Sequence, residues 1–371
     1  MNGERELVIG FACSWWTPRA ATWSYVAPRL RDSLDRTSAR IVDIETQPSL
    51  PLSALEVAAA KLTRQPWQYS RLTRALVDRK ARNGAARLRP AAVIEIADVD
   101  TPLLVPNFPY QDMSIALGAA SQRGPDGAYV NLLPASPSRI EALARRGAER
   151  LTRATGFFAM SQWMADDAIE RGVPAERVRV VHAGLSSAPQ PVRDPDRPFD
   201  GRLLFVGLDF LRKGGDAVVA AAQLLRDRGA DVRLTVVGPA DWPLPGSPPS
   251  WIEFLGPVSA EVLRTLWARH DVFLMPSRFE AYGIAIAEAL AAGLPSIAHN
   301  AYAMPEFIRD GETGLLVDEV EPEALADAIA KILDDPAFLT RVAAARVEIL
   351  DRHDWGRAAQ RMIEFVTETL A

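Results

Sequence analysis

Short apolar runs alternate with helical stretches along almost the whole chain, and the alternation is interrupted only once. Strand-length runs fall at 6–13, 40–45, 91–97, 156–160 and 177–182, with one more expected at 103–106. Helical stretches separate them at about 23–34, up to 88, at 139–152 and at 164–171. Residues 186–199 then break the pattern with four prolines and no periodicity. Beyond them it restarts, with strands expected at 203–207, 232–238, 252–256, 271–275, 296–298 and 315–318. Helices are expected at 216–228, 260–269, 284–292, 322–333, 336–351 and from 355 onward. Strands buried on both faces read as continuous apolar runs, and parallel strands need crossovers, usually helical. The pattern therefore predicts an α/β chain with two doubly wound halves, 1–185 and 200–354, joined by a linker at 186–199. The helix at 355–371 is expected to pack back on the first half. A length of 371 residues suits two such units. In open parallel sheets, ligands bind beyond the carboxyl ends of the strands. The expected site lies among those loops, in a cleft between the halves.

Composition narrows the class. An apolar fraction of 48% and a charged fraction of 24% are those of an ordinary soluble globular protein. No apolar run nears the roughly 20 residues that cross a bilayer. The first residues lack the basic-then-apolar order of a secretory signal, so a cytoplasmic location is expected. Cys13 is the single cysteine, and His182, His270, His299 and His353 are scattered, so no metal centre is expected. The net charge of −5 is uneven: residues 61–89 hold nine basic side chains and one acidic, +8 against −13 elsewhere. The functional reading of this segment is an anionic partner, including weak peripheral contact with a membrane surface; the plainer one is a solvated Arg-rich face. No nucleic-acid partner is expected.

Two stretches carry chemistry. In the first, an apolar strand at 271–275 breaks at Pro276-Ser277, and a helix follows at 284–292. Gly293 sits where a helix end favours positive φ, and Pro295 forbids continuation. Strand, polar loop and helix N-terminus aim backbone N–H groups at an anion. Glu280 lies in the loop. Glu288 lies in a helix otherwise built of Ala, Ile and Leu, and a buried carboxylate there requires a partner. In the second stretch, a strand ends at Gly207 and a loop leads to Arg212-Lys213-Gly214-Gly215. The chain has 4 Lys against 38 Arg, so a lysine here departs from local habit and suits a compact charge for phosphate.

Together with Val236-Val-Gly238, Phe254-Leu-Gly256, Pro276-Ser277-Arg278-Phe279-Glu280-Ala281-Tyr282-Gly283, Glu288-Ala-Leu-Ala-Ala-Gly293-Leu-Pro295, Pro305-Glu306 and Asp310-Gly311, these stretches resemble glycosyltransferase family 4. That family comprises retaining, nucleotide-sugar-dependent enzymes of the GT-B fold. The resemblance runs over 203–317 and more loosely over 154–184. It implies a hexose-type transfer from a UDP- or GDP-type sugar to a hydroxyl of a small-molecule, lipid or glycan acceptor, with no cofactor and no metal. Lys213 and Arg212 would hold the donor diphosphate, Glu288 the ribose hydroxyls and Glu280 hydroxyls of the transferred sugar. The backbone from Ala281 through Tyr282 and Gly283 to Ile284 would face sugar and phosphate. Gly207 and Gly238, at two strand ends, would lie against the nucleotide.

The chain departs from the family pattern in three places. Leu208 stands where many relatives carry Arg, and the first loop, Ser14-Trp15-Trp16-Thr-Pro, lacks their glycine pair. No His precedes His182; Asp112 is the candidate for orienting the acceptor, with a turn residue as its plainer reading. Trp15 and Trp16 read equally as sugar-stacking faces or loop anchors. Asp98-Val99-Asp100 matches a metal-binding triplet only weakly. His182-Ala-Gly184 reads as shaping a hinge. Two alternatives stay open: a phosphorylase or epimerase on the same fold, and a non-catalytic nucleotide-sugar-binding protein.

Overall fold

The computed structural model describes residues 6–15, 22, 25–46, 71–96, 103–124, 126–130, 136–185 and 192–371. Trp16, Asp98 to Asp100, and residues 61–70 of the basic segment lie outside them. The chain divides into two compact units. One comprises Met1–Gly124, Asn131–Ser186 and Asp354–Ala371; the other comprises Pro125–Val130 and Ser187–His353.

The first unit runs β1 (Val8–Cys13), α1 (Val26–Leu34), β2 (Arg40–Glu45), α2 (Arg71–Leu88), β3 (Ala92–Ile96) and β4 (Asn107–Gln111). It continues with α3 (Ile115–Arg123), α4 (Pro137–Arg153), β5 (Phe157–Ala159), α5 (Gln162–Glu170) and β6 (Val178–Val180). Its six strands are all parallel, in the order β2-β1-β3-β4-β5-β6.

The strand expected at 103–106 is displaced to β4, and Leu104 is exposed. Pro106 and Pro109 bracket the start of β4 and disguise it, because proline cannot donate to a ladder. It is tolerated because the short β5 pairs with β4 only at Tyr110 and Gln111. Asn107 instead donates its N–H to the Thr155 hydroxyl at 3.2 Å.

The second unit runs β7 (Arg202–Val206), α6 (Gly215–Asp227), β8 (Arg233–Val237), β9 (Ile252–Gly256), α7 (Ala260–Arg269) and β10 (Val272–Met275). Then follow α8 (Ile284–Ala291), β11 (Ser296–His299), β12 (Gly314–Val317), α9 (Pro322–Leu333) and α10 (Ala337–Arg352). Its strands are also parallel, in the order β12-β11-β10-β7-β8-β9. The chain winds one way from β7 to β9 and the other way from β10 to β12. The reversal therefore falls between β7 and β10. All four β10 residues are fully buried, as covering helices on both faces require. Residues from Val192 onward belong to this unit, so the later part of the Pro-rich stretch is fastened rather than loose.

The last helix, α11 (Trp355–Leu370), returns to the first unit. Its Phe365 meets Phe108 and Phe158 edge-on, with centroids 6.0 and 5.7 Å away. Trp355 lies on Gly184, where an added Cβ would come within 2.5 Å of the indole, and its Nε1–H donates to the Leu185 carbonyl. That contact is what Gly184 serves; His182 meanwhile bonds through Nδ1 to the Met160 carbonyl at 3.0 Å.

One buried group of the second unit gives its stability a pH dependence. His270 follows α7, and its Nδ1 lies 2.6 Å from the Leu266 carbonyl. A carbonyl only accepts, so Nδ1 carries the proton, and Nε2 faces the Thr235 hydroxyl at 2.8 Å. Burial pushes the imidazole below its ordinary value of 6.5, against the opposing pull of the Leu266 carbonyl, Asp271 and Glu253; Arg269 adds to the lowering. Below 6.5 the unfolded chain takes a proton that the folded chain refuses. The contribution is therefore complete above 6.5 and is lost as pH falls toward the folded value, at up to about 1.4 kcal/mol per pH unit. Urea denaturation at pH 7.5 and 5.5 should show wild type losing more stability than His270→Gln. Equal losses in the two proteins would reject this role.

Candidate active site

The reversal point of the second sheet is where crevices form in open α/β folds. Here the loop after β7 (residues 207–214) and the loop after β10 (residues 276–283) stand side by side. The first is a wound turn: Lys213, Gly214 and Gly215 donate their N–H groups to the carbonyls of Asp209, Leu211 and Phe210. It ends at Gly214, whose φ of 76° favours glycine and where an added Cβ would sit 2.4 Å from the Pro276 carbonyl oxygen. The two loops touch backbone to backbone, and no larger residue fits between them.

Side chains lace the loops together. Lys213 forms an ion pair with Glu280, and its Nζ lies 3.7 Å from the Met275 sulfur. Arg212 donates from Nη1 to the Phe279 carbonyl at 2.8 Å and from Nε to Asp209 at 2.9 Å. Its Nη1 is 3.9 Å from the Glu280 carboxylate. Three residues assigned from sequence, Arg212, Lys213 and Glu280, are thus brought to one place although the two loops are far apart in the chain. Gly207 lets the lysine lie there: a Cβ on it would meet Lys213 Cγ at 2.8 Å. Gly238, after β8, has φ 128° and backs onto the Gly207 carbonyl, with a virtual Cβ at 2.3 Å. These two glycines pack against each other at neighbouring strand ends.

Gly283 caps α8 with φ 98°, which leaves the first N–H groups of the helix without intrahelical acceptors. Tyr282 is buried, edge-on to Phe307 at 4.9 Å, and so anchors the loop. Ala281 is half-buried. In α8, Ile284, Ala285 and Glu288 are half-buried and every other residue is buried. Glu288 therefore occupies the one open face, a single turn from the helix start.

The sequence reading missed Arg278. Burial pushes its guanidinium down, and bonds to Asp216 at 2.6 and 3.0 Å outweigh this and hold it above its ordinary value. It also donates to the Leu211 carbonyl at 2.7 Å and lies 4.3 Å over the Tyr129 ring. Three cations (Arg212, Lys213 and Arg278) thus face three carboxylates (Asp209, Asp216 and Glu280). The only local sign in the sequence was an arginine inside an otherwise buried run. Leu208, next to Gly207, is mostly exposed. His299, the last residue of β11, bonds through Nδ1 to the Ser277 carbonyl at 3.1 Å, which fixes the base of the second loop.

Asp112 belongs to the first unit, half-buried, one residue beyond β4 in the connection to α3. Tyr110 beside it is committed to structure, its hydroxyl donating to the Val181 carbonyl at 3.0 Å. Trp15 is buried against Phe11 at 5.9 Å, so it anchors its loop and presents no open stacking face. Among the described residues, no group of three or more His, Cys, Asp or Glu is placed to hold a metal ion. Among them, too, no helix is long and apolar enough to cross a membrane.

Two helix-covered parallel sheets with this order and a cation-rich reversal point define the class: a two-domain α/β GT-B fold. Residues 200–335, within the second unit, match the family described as glycosyl transferases group 1. The chain is 34% identical over 193 residues to a phosphatidyl-myo-inositol mannosyltransferase of Mycobacterium leprae, covering 50% of this chain and 51% of that one. The chain spans about half the length of the curated relatives it matches. Among solved structures, a sucrose-phosphate synthase of Thermosynechococcus elongatus is similar over 98% of this chain and 99% of its own, with TM-score 0.68 and 17% identity. HepE of Anabaena, solved in complex with UDP and glucose, matches with TM-score 0.60 and 15% identity over 98% of this chain and 99% of that one.

Proposed function

We propose that this chain is a retaining glycosyltransferase that moves a hexose-type sugar from a UDP- or GDP-type donor to an acceptor hydroxyl. The observation that carries the reading is the convergence of Arg212, Lys213 and Glu280 beside the open N-terminus of α8. A diphosphate leaving group gains negative charge as the glycosidic bond breaks, and donors already in place stabilise that charge without reorganising. Lys213 and Arg212 supply two cations, and the α8 N-terminus supplies backbone N–H groups. With that charge in hand the reading requires no metal. Glu280, held by Lys213, accepts from hydroxyls of the sugar being transferred. Glu288, on the open face of α8, accepts from the ribose. The acceptor oxygen forms its bond to the anomeric carbon on the face from which the diphosphate departs. The departing phosphate oxygen takes the acceptor proton. Asp112 is the first unit's candidate for orienting that acceptor, whether small molecule, lipid or glycan. The +8 stretch at 61–89 suits weak contact of a cytoplasmic protein with an anionic membrane surface.

A thermal-shift screen against nucleotides and nucleotide sugars tests the reading, because ligands that bind the folded state raise its melting temperature. Stabilisation by a UDP or GDP compound, followed by turnover with the matching sugar, is expected. No shift with any of them would sink the proposal. The exposed Leu208, placed where a phosphate-binding arginine is common in the family, favours one rival, a nucleotide-sugar-binding protein without catalysis. Tight binding with no donor hydrolysis would select it. The ribose assignment has its own test. Glu288→Gln should weaken binding of the stabilising nucleotide by about 1 to 3 kcal/mol, since hydrogen bonds to a charged acceptor are lost. Unchanged affinity by calorimetry rejects it.

A further inference from the structure

We infer that Arg278 is a positioning residue that holds the loop after β7, and with it Arg212 and Lys213, in register with the loop after β10. Four contacts carry the inference. The Arg278 backbone N–H donates to the Arg212 carbonyl at 2.8 Å. Its guanidinium donates to the Leu211 carbonyl at 2.7 Å and grips the Asp216 carboxylate through two nitrogens. Asp216 lies in the first turn of α6. The contact points at residues 211, 212 and 216 thus bracket Lys213. The fourth contact runs the other way, from Arg212 Nη1 to the Phe279 carbonyl. Each arginine holds the backbone of the opposite loop, so the two side chains form a reciprocal clasp.

The geometry separates Arg278 from the groups assigned to the donor. Its side chain is only 9% exposed, whereas those of Arg212 and Lys213 are 22% and 16% exposed. The Tyr129 ring covers the guanidinium at 4.3 Å, and Asp216 and Leu211 take its donors. A buried, fork-shaped cation that spends its bonds on a carboxylate and a carbonyl fixes distances rather than meeting a ligand. Lysine keeps the charge and lacks the fork. Charge and geometry can therefore be told apart by one substitution.

The test compares wild type with Arg278→Lys and Asp216→Asn, each checked for an unchanged far-ultraviolet circular dichroism spectrum. Hydrogen–deuterium exchange on the ligand-free protein is read first. Peptides covering 208–214 should exchange faster in both variants, while the buried middle of α6 keeps wild-type protection. Wild-type exchange across 208–214 in Arg278→Lys overturns the inference, as does equal loosening of the whole unit, which marks a general structural role.

The second readout rests on the proposed function and uses UDP and GDP as probes. Affinity for whichever probe wild type binds should fall about tenfold in Arg278→Lys, the consequence of misplaced rather than missing cations. Full rescue by lysine overturns positioning in favour of charge alone. If wild type binds neither probe while the loop still loosens in the variants, the nucleotide-sugar reading fails and the positioning role stands.

Discussion

Lys213→Ala should lower kcat about 100-fold with a confirmed donor, while the protein keeps its fold. The magnitude is that of losing one donor aimed at charge that develops in the transition state, about 3 kcal/mol. Two features of the structure make this substitution more damaging than the loss of an ordinary surface lysine. The first is placement: Lys213 lies over the carboxyl end of β7, in the room that the missing side chain of Gly207 leaves for it. The second is Glu280. With the lysine in place, the carboxylate is neutralised by an ion pair. Without it, that carboxylate faces a diphosphate with only Arg212 nearby, 3.9 Å away, and Arg212 is already bonded to Asp209 and to the Phe279 carbonyl. The alanine variant thus loses a cation and exposes an anion at once. Lys213 is part of the β7 loop but its ammonium bonds only side chains, so the loop's backbone turn persists. Wild-type kcat in the variant would exclude Lys213 from leaving-group stabilisation. A raised donor KM with unchanged kcat would instead assign it to uniform binding of donor and transition state.

The parts of this site that were legible in sequence are those written in local chemistry. The apolar run 272–275, the break at Pro276-Ser277 and the punctuation at Gly293 and Pro295 record strand, loop and helix end directly, and Gly293 has the positive φ its position demands. Lys213 stood out because the chain otherwise prefers arginine. What local pattern does not record is pairing over distance. Arg278 and Asp216 are 62 residues apart, and no period or spacing links them. The half-burial of Glu288 goes unrecorded for a related reason. A helix of Ala, Ile and Leu looks closed from its composition, but which face the sheet leaves open depends on the neighbours. The displaced β4 shows the converse error. Two prolines in and beside a strand argue against it locally, and the pairing with β3 and β5 decides otherwise.

The same strand–loop–helix is braced from behind by a buried charge cluster, and breaking it should cost the second unit more stability than any substitution in the site. Asp271 immediately precedes β10 and is fully buried. It receives Arg193 and Arg197 on one oxygen, at 2.9 and 3.0 Å, and the N–H groups of Asp200 and Arg202 on the other, both at 2.9 Å. Burial alone would raise its carboxyl, but bonds from Asp200, Arg193 and the backbone hold it below the ordinary range. Arg193, with a side chain 0% exposed, also donates to the His270 and Arg197 carbonyls. Its backbone N–H bonds the Ala292 carbonyl at the end of α8. One cluster therefore ties the start of β10, the end of α8 and the entry to β7. Asp271→Ala leaves the Arg193 guanidinium buried without its counter-charge, a loss of about 3 to 5 kcal/mol. Replacing both partners, as in Arg193→Met with Asp271→Leu, removes the stranded charge and should recover a large part of that loss. Urea denaturation of Arg193→Met, Asp271→Leu and the double variant measures the cycle. Additive losses would show that the two side chains stabilise the unit independently, and that the buried pair is not what fastens β10.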